Sequence, residues 1–297
     1  GLALIILGHR ARLMLQTVPA NVIRPTVAAG TPVDIFAYLE NTTMARAFRG
    51  RRPLGSPEFT NLSDAELHDR ISMAVQDAGG RPAVIHIGPR PSASLPSAWP
   101  QRLSRYTEPV KMTVATRFAK EQAAWQLVED YERERGGRYA WVLWTREDSH
   151  WFSPLNLGVF RPGAVHGKAC GGFGGWNDKV WLMDREWAPA MLTMYDAFHS
   201  HATASCTDLA ASSDAISTAR TIETDFLAAP SVEQFRERVG KLRRVPFSKH
   251  PPEELPTMDS YFKEGEGGSW QLCFPRIYAT GCVPRDNQSA VNRMSCA

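Results

Sequence analysis

Paired C-x-x-C spacing is missing from this chain, so zinc ribbons and thioredoxin-type redox centres have no support in its cysteines. The five that exist, Cys170, Cys206, Cys273, Cys282 and Cys296, are an odd number and leave at least one thiol without a partner inside the chain. A G-x-S-x-G elbow is also lacking, which removes the local signature of an α/β-hydrolase. Charge of one sign is not concentrated: 34 basic residues face 31 acidic ones, and the arginines gather only in short groups such as Arg49, Arg51 and Arg52. No basic stripe of the kind that nucleic acid requires is present, so no nucleic-acid partner is expected. The opening apolar run, Leu2 to Leu7, stops at Gly8, far short of the roughly 20 residues of a membrane-spanning helix. It reads as a buried strand, and a signal peptide, stem or membrane anchor is conceivable only upstream of it. Internal repeats and low-complexity tracts are absent.

What the chain has is core. With 43% hydrophobic residues over 297 positions it can bury one elaborated α/β domain, and one domain over 1–297 is the economical expectation. The periodicities alternate between strand and helix, as in a parallel sheet with crossover helices. Strands are expected at 2–7, 33–39, 83–87, 140–145 and 180–183. Residues 13–27 read as partly helical despite Pro19 and Pro25. Ser63 with Glu66 makes a capping box, and Leu67, Ile71 and Val75 follow on one helical face. Val114, Phe118, Trp125, Val128 and Tyr131 mark a helix that ends at Gly136 and Gly137. A further helix carries Trp187, Met191, Met194, Tyr195 and Phe198. The tail, about 201–297, adds helices near 214–228 and from 231, and a last strand near 272–279.

Two strand ends hold the candidate chemistry. An open α/β sheet receives its ligands beyond the carboxyl ends of its strands. At the end of the first strand Gly8, His9, Arg10 and Arg12 bring cations and a compact backbone to a turn suited to phosphate. Tyr38, Glu40 and Asn41, toward the end of the second, are placed to approach a base or ribose, whereas Asp34 lies within that strand as a structural hydrogen-bonding group. The run 139–148, YAWVLWTRED, ends a buried strand in Glu147 and Asp148, oxygen ligands of the type that Mg²⁺ or Mn²⁺ prefers; ordinary solvated charges are the plainer alternative. His199, His201 and Cys206 offer a zinc alternative that needs an extended backbone, against a place at a helix end where histidines meet the dipole. Sequons at Asn41, Asn61 and Asn287 permit a secretory history.

Taken together, residues 4–8 (LIILG), 30–38 (GTPVDIFAY), 122–125 (QAAW), 139–148 and 174–178 (GGWND) resemble a GT-A-type glycosyltransferase-like domain, as found in algae, fungi and large algal viruses. The resemblance covers about residues 2–200 and implies a Rossmann-like mixed sheet flanked by helices. It further implies a glycosyltransferase, transferring a hexose or pentose from a nucleotide sugar to a glycan or glycoprotein acceptor in the secretory pathway or Golgi lumen, with the cytoplasm as the alternative location. Gly8, His9, Arg10, Arg12, Tyr38, Asn41, Arg146, Glu147 and Asn177 would bind the nucleotide sugar. Asp148 would hold Mn²⁺ or Mg²⁺, and Asp178 would be the base if the reaction inverts. The sequence departs from the family's Asp-x-Asp pattern by placing Arg146 where the first aspartate stands. Arg146 then neutralises the diphosphate in place of a metal, or the site is degenerate and the protein a non-catalytic structural or carbohydrate-binding relative. The glycine loop 171–175 is expected to form the acceptor-side wall of the cleft that Asp148 enters.

Overall fold

The computed structural model describes residues 1–42, 57–94, 108–170, 177, 179–196, 199, 245–259, 261–264 and 270–273. Its centre is a seven-stranded mixed sheet in the order β3-β2-β1-β4-β7-β6-β8. These strands are β1 (Leu2–His9), β2 (Val33–Glu40), β3 (Arg81–Gly88), β4 (Trp141–Arg146), β6 (Val165–Lys168), β7 (Val180–Asp184) and β8 (Phe247–His250). The first four run parallel, β7 is antiparallel to β4 and β6, and β8 closes the far edge parallel to β6. Between β4 and β6, β5 (Ser149–Trp151) pairs antiparallel with β9 (Thr257–Asp259). A separate ribbon joins β10 (Tyr261–Glu264) to β11 (Trp270–Cys273). This is the Rossmann-like mixed sheet with flanking helices that was expected.

Helices cover both faces of the sheet, which explains why β1 is apolar without alternation. Leu2, Leu4 and Ile6 pack into one core cluster with Leu67, Ile71 and Val75 of α3 (Asp64–Asp77). Ala3, Ile5 and Leu7 pack into the other, with Ala124, Trp125 and Val128 of α4 (Glu108–Arg135). α3 starts where the capping box places it: Ser63 N–H donates to Glu66 Oε2 at 2.7 Å, and Glu66 N–H donates to Ser63 Oγ at 3.2 Å.

The region 13–27 is helical in part, as expected. A five-residue wide-turn (π) segment, Pro19–Ile23, leads into α1 (Arg24–Ala28). The helix expected from Trp187 onward begins as α5 (Ala188–Leu192), breaks at Thr193, whose Oγ1 donates to Pro189 O at 2.7 Å, and resumes at 194–196. A four-residue helix, α2 (Pro57–Thr60), precedes α3. No helix among the described residues is long and apolar enough to cross a membrane. The expected helices near 214–228 and from 231 lie outside the described residues, as does most of the expected strand 272–279.

Candidate functional site

Because the chain proceeds from β1 to β2 and β3 on one side and only later places β4 on the other, the sheet order reverses between β1 and β4. A crevice opens beyond the carboxyl ends of the strands at such a reversal. Side-chain alternation then selects what faces α4. Along one row of the register His86, Tyr38, Leu7 and Arg146 are neighbours, and one step further Gly88, Glu40 and His9 follow. The amino-terminal half of α4 covers this end with Thr113, Thr116, Arg117 and Lys120, spaced three and four residues apart on one face.

The result is a cleft of about 270 Å³ lined by Gly8, His9, Arg12, Glu40, Arg90, Arg117, Lys120, Arg146 and Glu147, with Leu7, Trp144 and the two threonines. Five basic side chains line it beside two carboxylates. Its floor is the contact between Gly8 and Glu147. Gly8 has a φ of 155°, and a Cβ there would fall inside the Glu147 carboxylate. Only glycine lets the two strand ends approach this closely. The backbone locks the approach, since Glu147 N–H donates to Leu7 O at 3.1 Å and Met14 N–H to Glu147 O at 2.7 Å.

Both strand-end carboxylates are held by guanidiniums. Arg12 donates through Nη2 to Glu147 Oε1 and stands 3.5 Å through Nη1 from Asp148 Oδ2, which also accepts from Arg146 Nη2. Burial opposes ionisation of Glu147, yet Arg12 and Arg146, with His9 and Lys120, hold its pKa below the ordinary glutamate value. Glu40 behaves likewise: it is wholly buried, but the hydrogen bond from His9 and the ammonium of Lys120 keep it ionised. Its Oε2 lies 2.9 Å from His9 Nδ1 and 3.2 Å from Arg90 Nε, and its Oε1 2.8 Å from Lys120 Nζ. Burial lowers the Lys120 pKa, and Glu40 and Glu147 resist that shift.

Of the residues nominated from sequence, Gly8, His9, Arg12, Arg146 and Glu147 meet in this cleft, and Asp148 adjoins it. Tyr38 stacks on His86 with ring centroids 4.5 Å apart, in the row behind Glu40, and does not line the cleft. Arg10 is a correction. Its guanidinium is buried and turned toward α2 and α3, where it bonds Asp64, Leu62 O and Phe59 O, the last at 3.2 Å. Asn41 is exposed, with its N–H on Gly88 O at 2.8 Å, and it finishes the β2–β3 pairing rather than lining the cleft. Asn177 is buried in the turn before β7: its amide donates to Cys170 O at 2.6 Å, its Oδ1 accepts from Lys179 N–H at 2.8 Å, and its carbonyl accepts from Trp181 Nε1 at 2.6 Å. These bonds give Asn177 a structural role. Asp178, the glycine loop 171–175, His201 and Cys206 lie outside the described residues. His199 packs against Tyr195, and Cys170 is in a disulfide.

Arg90, Arg117 and Lys120 are the cleft residues that sequence reasoning passed over. The available signal was the polar stripe Thr113, Thr116, Arg117 and Lys120 along a helix otherwise read for its apolar face. One oxygen of Glu147 accepts from Arg12 and one of Asp148 accepts from Arg146, so a divalent cation at these carboxylates would meet two guanidiniums whose charge repels it. Among the described residues no group of three or more His, Cys, Asp or Glu side chains is arranged to hold a metal. Trp151 does not fill the cleft; it is fully buried in the core on the other face.

No protein-family model matches the chain, and no curated protein matches it. Among solved structures, the apo form of mouse xyloside xylosyltransferase 1 is similar over 84% of this chain and 84% of that one, at 10% identity and a TM-score of 0.40. At that level of likeness the chemistry of the cleft rests on its own residues.

Proposed function

We propose that the chain is a GT-A-type glycosyltransferase that binds the diphosphate of a nucleotide sugar in the cleft between β1, β4 and α4. The supporting observation is the surplus of basic side chains lining the topological switch point: four guanidiniums, those of Arg12 and Arg146 among them, and Lys120 suit a diphosphate at the carboxyl ends of parallel strands. In the transfer, an acceptor hydroxyl oxygen attacks the anomeric carbon and the bond from that carbon to the diphosphate oxygen breaks. The electron pair leaves with the diphosphate, where Arg146 and Arg12 offset the growing charge. The hydroxyl proton goes to a base, for which Asp178 is the proposed group in an inverting reaction. Glu40 is unsuited to that task, since its partners keep it a very weak base. A glycan or glycoprotein is the proposed acceptor. The Cys170 disulfide supports a luminal, oxidising setting.

The test is a panel of nucleotide sugars screened for donor hydrolysis and for thermal shift, with and without Mn²⁺. Turnover of one donor is expected. Neither turnover nor a shift with any donor removes the reading. The pairing of both strand-end acids with arginines favours a second reading, a non-catalytic binding protein of the same fold. A thermal shift with a nucleoside diphosphate but no turnover of any sugar, in the presence of candidate acceptors, selects that second reading.

A further inference from the structure

Arg12 and Arg146 are paired with the two strand-end carboxylates. One oxygen of Asp148 accepts from Arg146 and stands 3.5 Å from Arg12, whose other amino group holds Glu147. The Asp148 side chain is 7% exposed and that of Glu147 1%, whereas Arg12 is 28% exposed and Arg146 15%. The guanidiniums therefore lie toward the solvent and the carboxylates behind them. A carboxylate oxygen facing two guanidiniums stands where a phosphoryl oxygen stands in an arginine clamp.

We infer that Glu147 and Asp148 are internal stand-ins for the donor's diphosphate. They hold Arg12 and Arg146 in position while the cleft is empty, and Asp148 opposes the incoming anion as a built-in brake on its affinity. A guanidinium carries five N–H donors, so one guanidinium can bond a carboxylate and a phosphate together. The charge of Asp148 still repels that phosphate across a short distance within a partly buried site. Glu147 contributes less to the brake, because its carboxylate is pinned over Gly8 and shared with the field of Lys120. The inference rests on the diphosphate reading of the cleft and gives Asp148 a role of opposite sign to that of a metal ligand.

The experiment is isothermal titration of the full chain with inorganic pyrophosphate in EDTA, wild type against Asp148→Asn. Removing one like charge beside the bound anion is expected to tighten binding by about tenfold. Arg146→Gln is expected to weaken binding in both backgrounds. Equal or weaker binding by Asp148→Asn overturns the inference. On the wild type alone, binding in EDTA is expected, and binding seen only when Mn²⁺ is added overturns the inference; this arm holds whether or not the variant folds. Absence of pyrophosphate binding under every condition removes the diphosphate reading and the inference together, whereas binding with the wrong sign removes the inference alone.

Discussion

The two ends of the same parallel strands use charge in opposite ways. At the amino end, Asp34 lies buried at the start of β2 and collects Arg81 through two bonds of 2.8 and 2.6 Å, Arg135 at 2.9 Å and the Tyr139 hydroxyl at 2.5 Å. That knot ties β2, β3, the last turn of α4 and the approach to β4 around one carboxylate. Burial, and then the bond to Asp34, raise the Tyr139 pKa, so its hydroxyl stays a donor. At the carboxyl end the basic side chains outnumber the lining acids, and those of α4, Arg117 and Lys120, face the strand-end ones across a cleft instead of a closed knot. Similar residue types thus tie one end together and line an open cleft at the other. What separates them is whether backbone and helix leave space between the charges.

Glycine substitution has the largest expected effect. Gly8→Ala is expected to cost roughly 3 kcal/mol or more and to abolish pyrophosphate binding, because the new Cβ meets the buried Glu147 carboxylate. Gly30→Ala at the other end, with a φ of 84° and open space around it, is expected to cost only about 1 kcal/mol and to spare binding. Urea unfolding with parallel calorimetry reads both.

Arginine substitution sharpens the contrast. Arg146→Gln is expected to weaken pyrophosphate binding by about 2 kcal/mol, the scale of a charge-assisted bond. Arg135→Gln is expected to leave that affinity unchanged while lowering stability. Asp34→Asn tests cohesion alone: about 1–2 kcal/mol of stability should be lost, less than for a fully buried pair because Arg81 is 55% and Arg135 30% exposed. Loss of binding in Asp34→Asn, seen by titration of the folded variant, would contradict the separation of the two ends.

The smallest effect is in acid. Glu40 and Glu147 have folded pKa values below the ordinary glutamate value of 4.5, so each stabilises the fold fully above that value and loses its contribution as pH falls toward the folded pKa. Stability should drop by about 1 kcal/mol per pH unit for each carboxylate below pH 4.5. In Glu147→Gln the slope of stability against pH should flatten over that window, and an unchanged slope in denaturant titrations at pH 3 to 5 would show that Glu147 is not so held.

Much of the frame was legible in the chain itself. β1 and the centres of β2 and β4, residues 35–39 and 141–144, are apolar runs because helices bury both their faces, and α3 announces its start through Ser63 and Glu66. The short strands β5, β6, β8 and β9 were not legible. Runs such as Ser149 to Trp151 or Phe247 to His250 carry no periodicity of their own and become strands only by pairing with a partner distant in sequence. The site was half legible. Gly8, His9, Arg12, Arg146 and Glu147 sit at strand ends, where sequence can place them, but Arg10 was misjudged because two arginines on one short turn point to opposite sides. One enters the cleft and the other the α2–α3 junction.

By itself, then, the sequence determined the alternation of strand and helix, the buried centre of the sheet and the concentration of charge after β1 and β4, since these follow from local periodicity and from where apolar runs end. Only the tertiary structure decided which cations share a space. Lys120, Arg117 and Arg90 reach the cleft from α4 and the end of β3, and Asp148 meets Arg12 across more than a hundred residues of chain. Those meetings depend on strand order and helix docking, and electrostatics acts through distance in space, which sequence spacing does not encode.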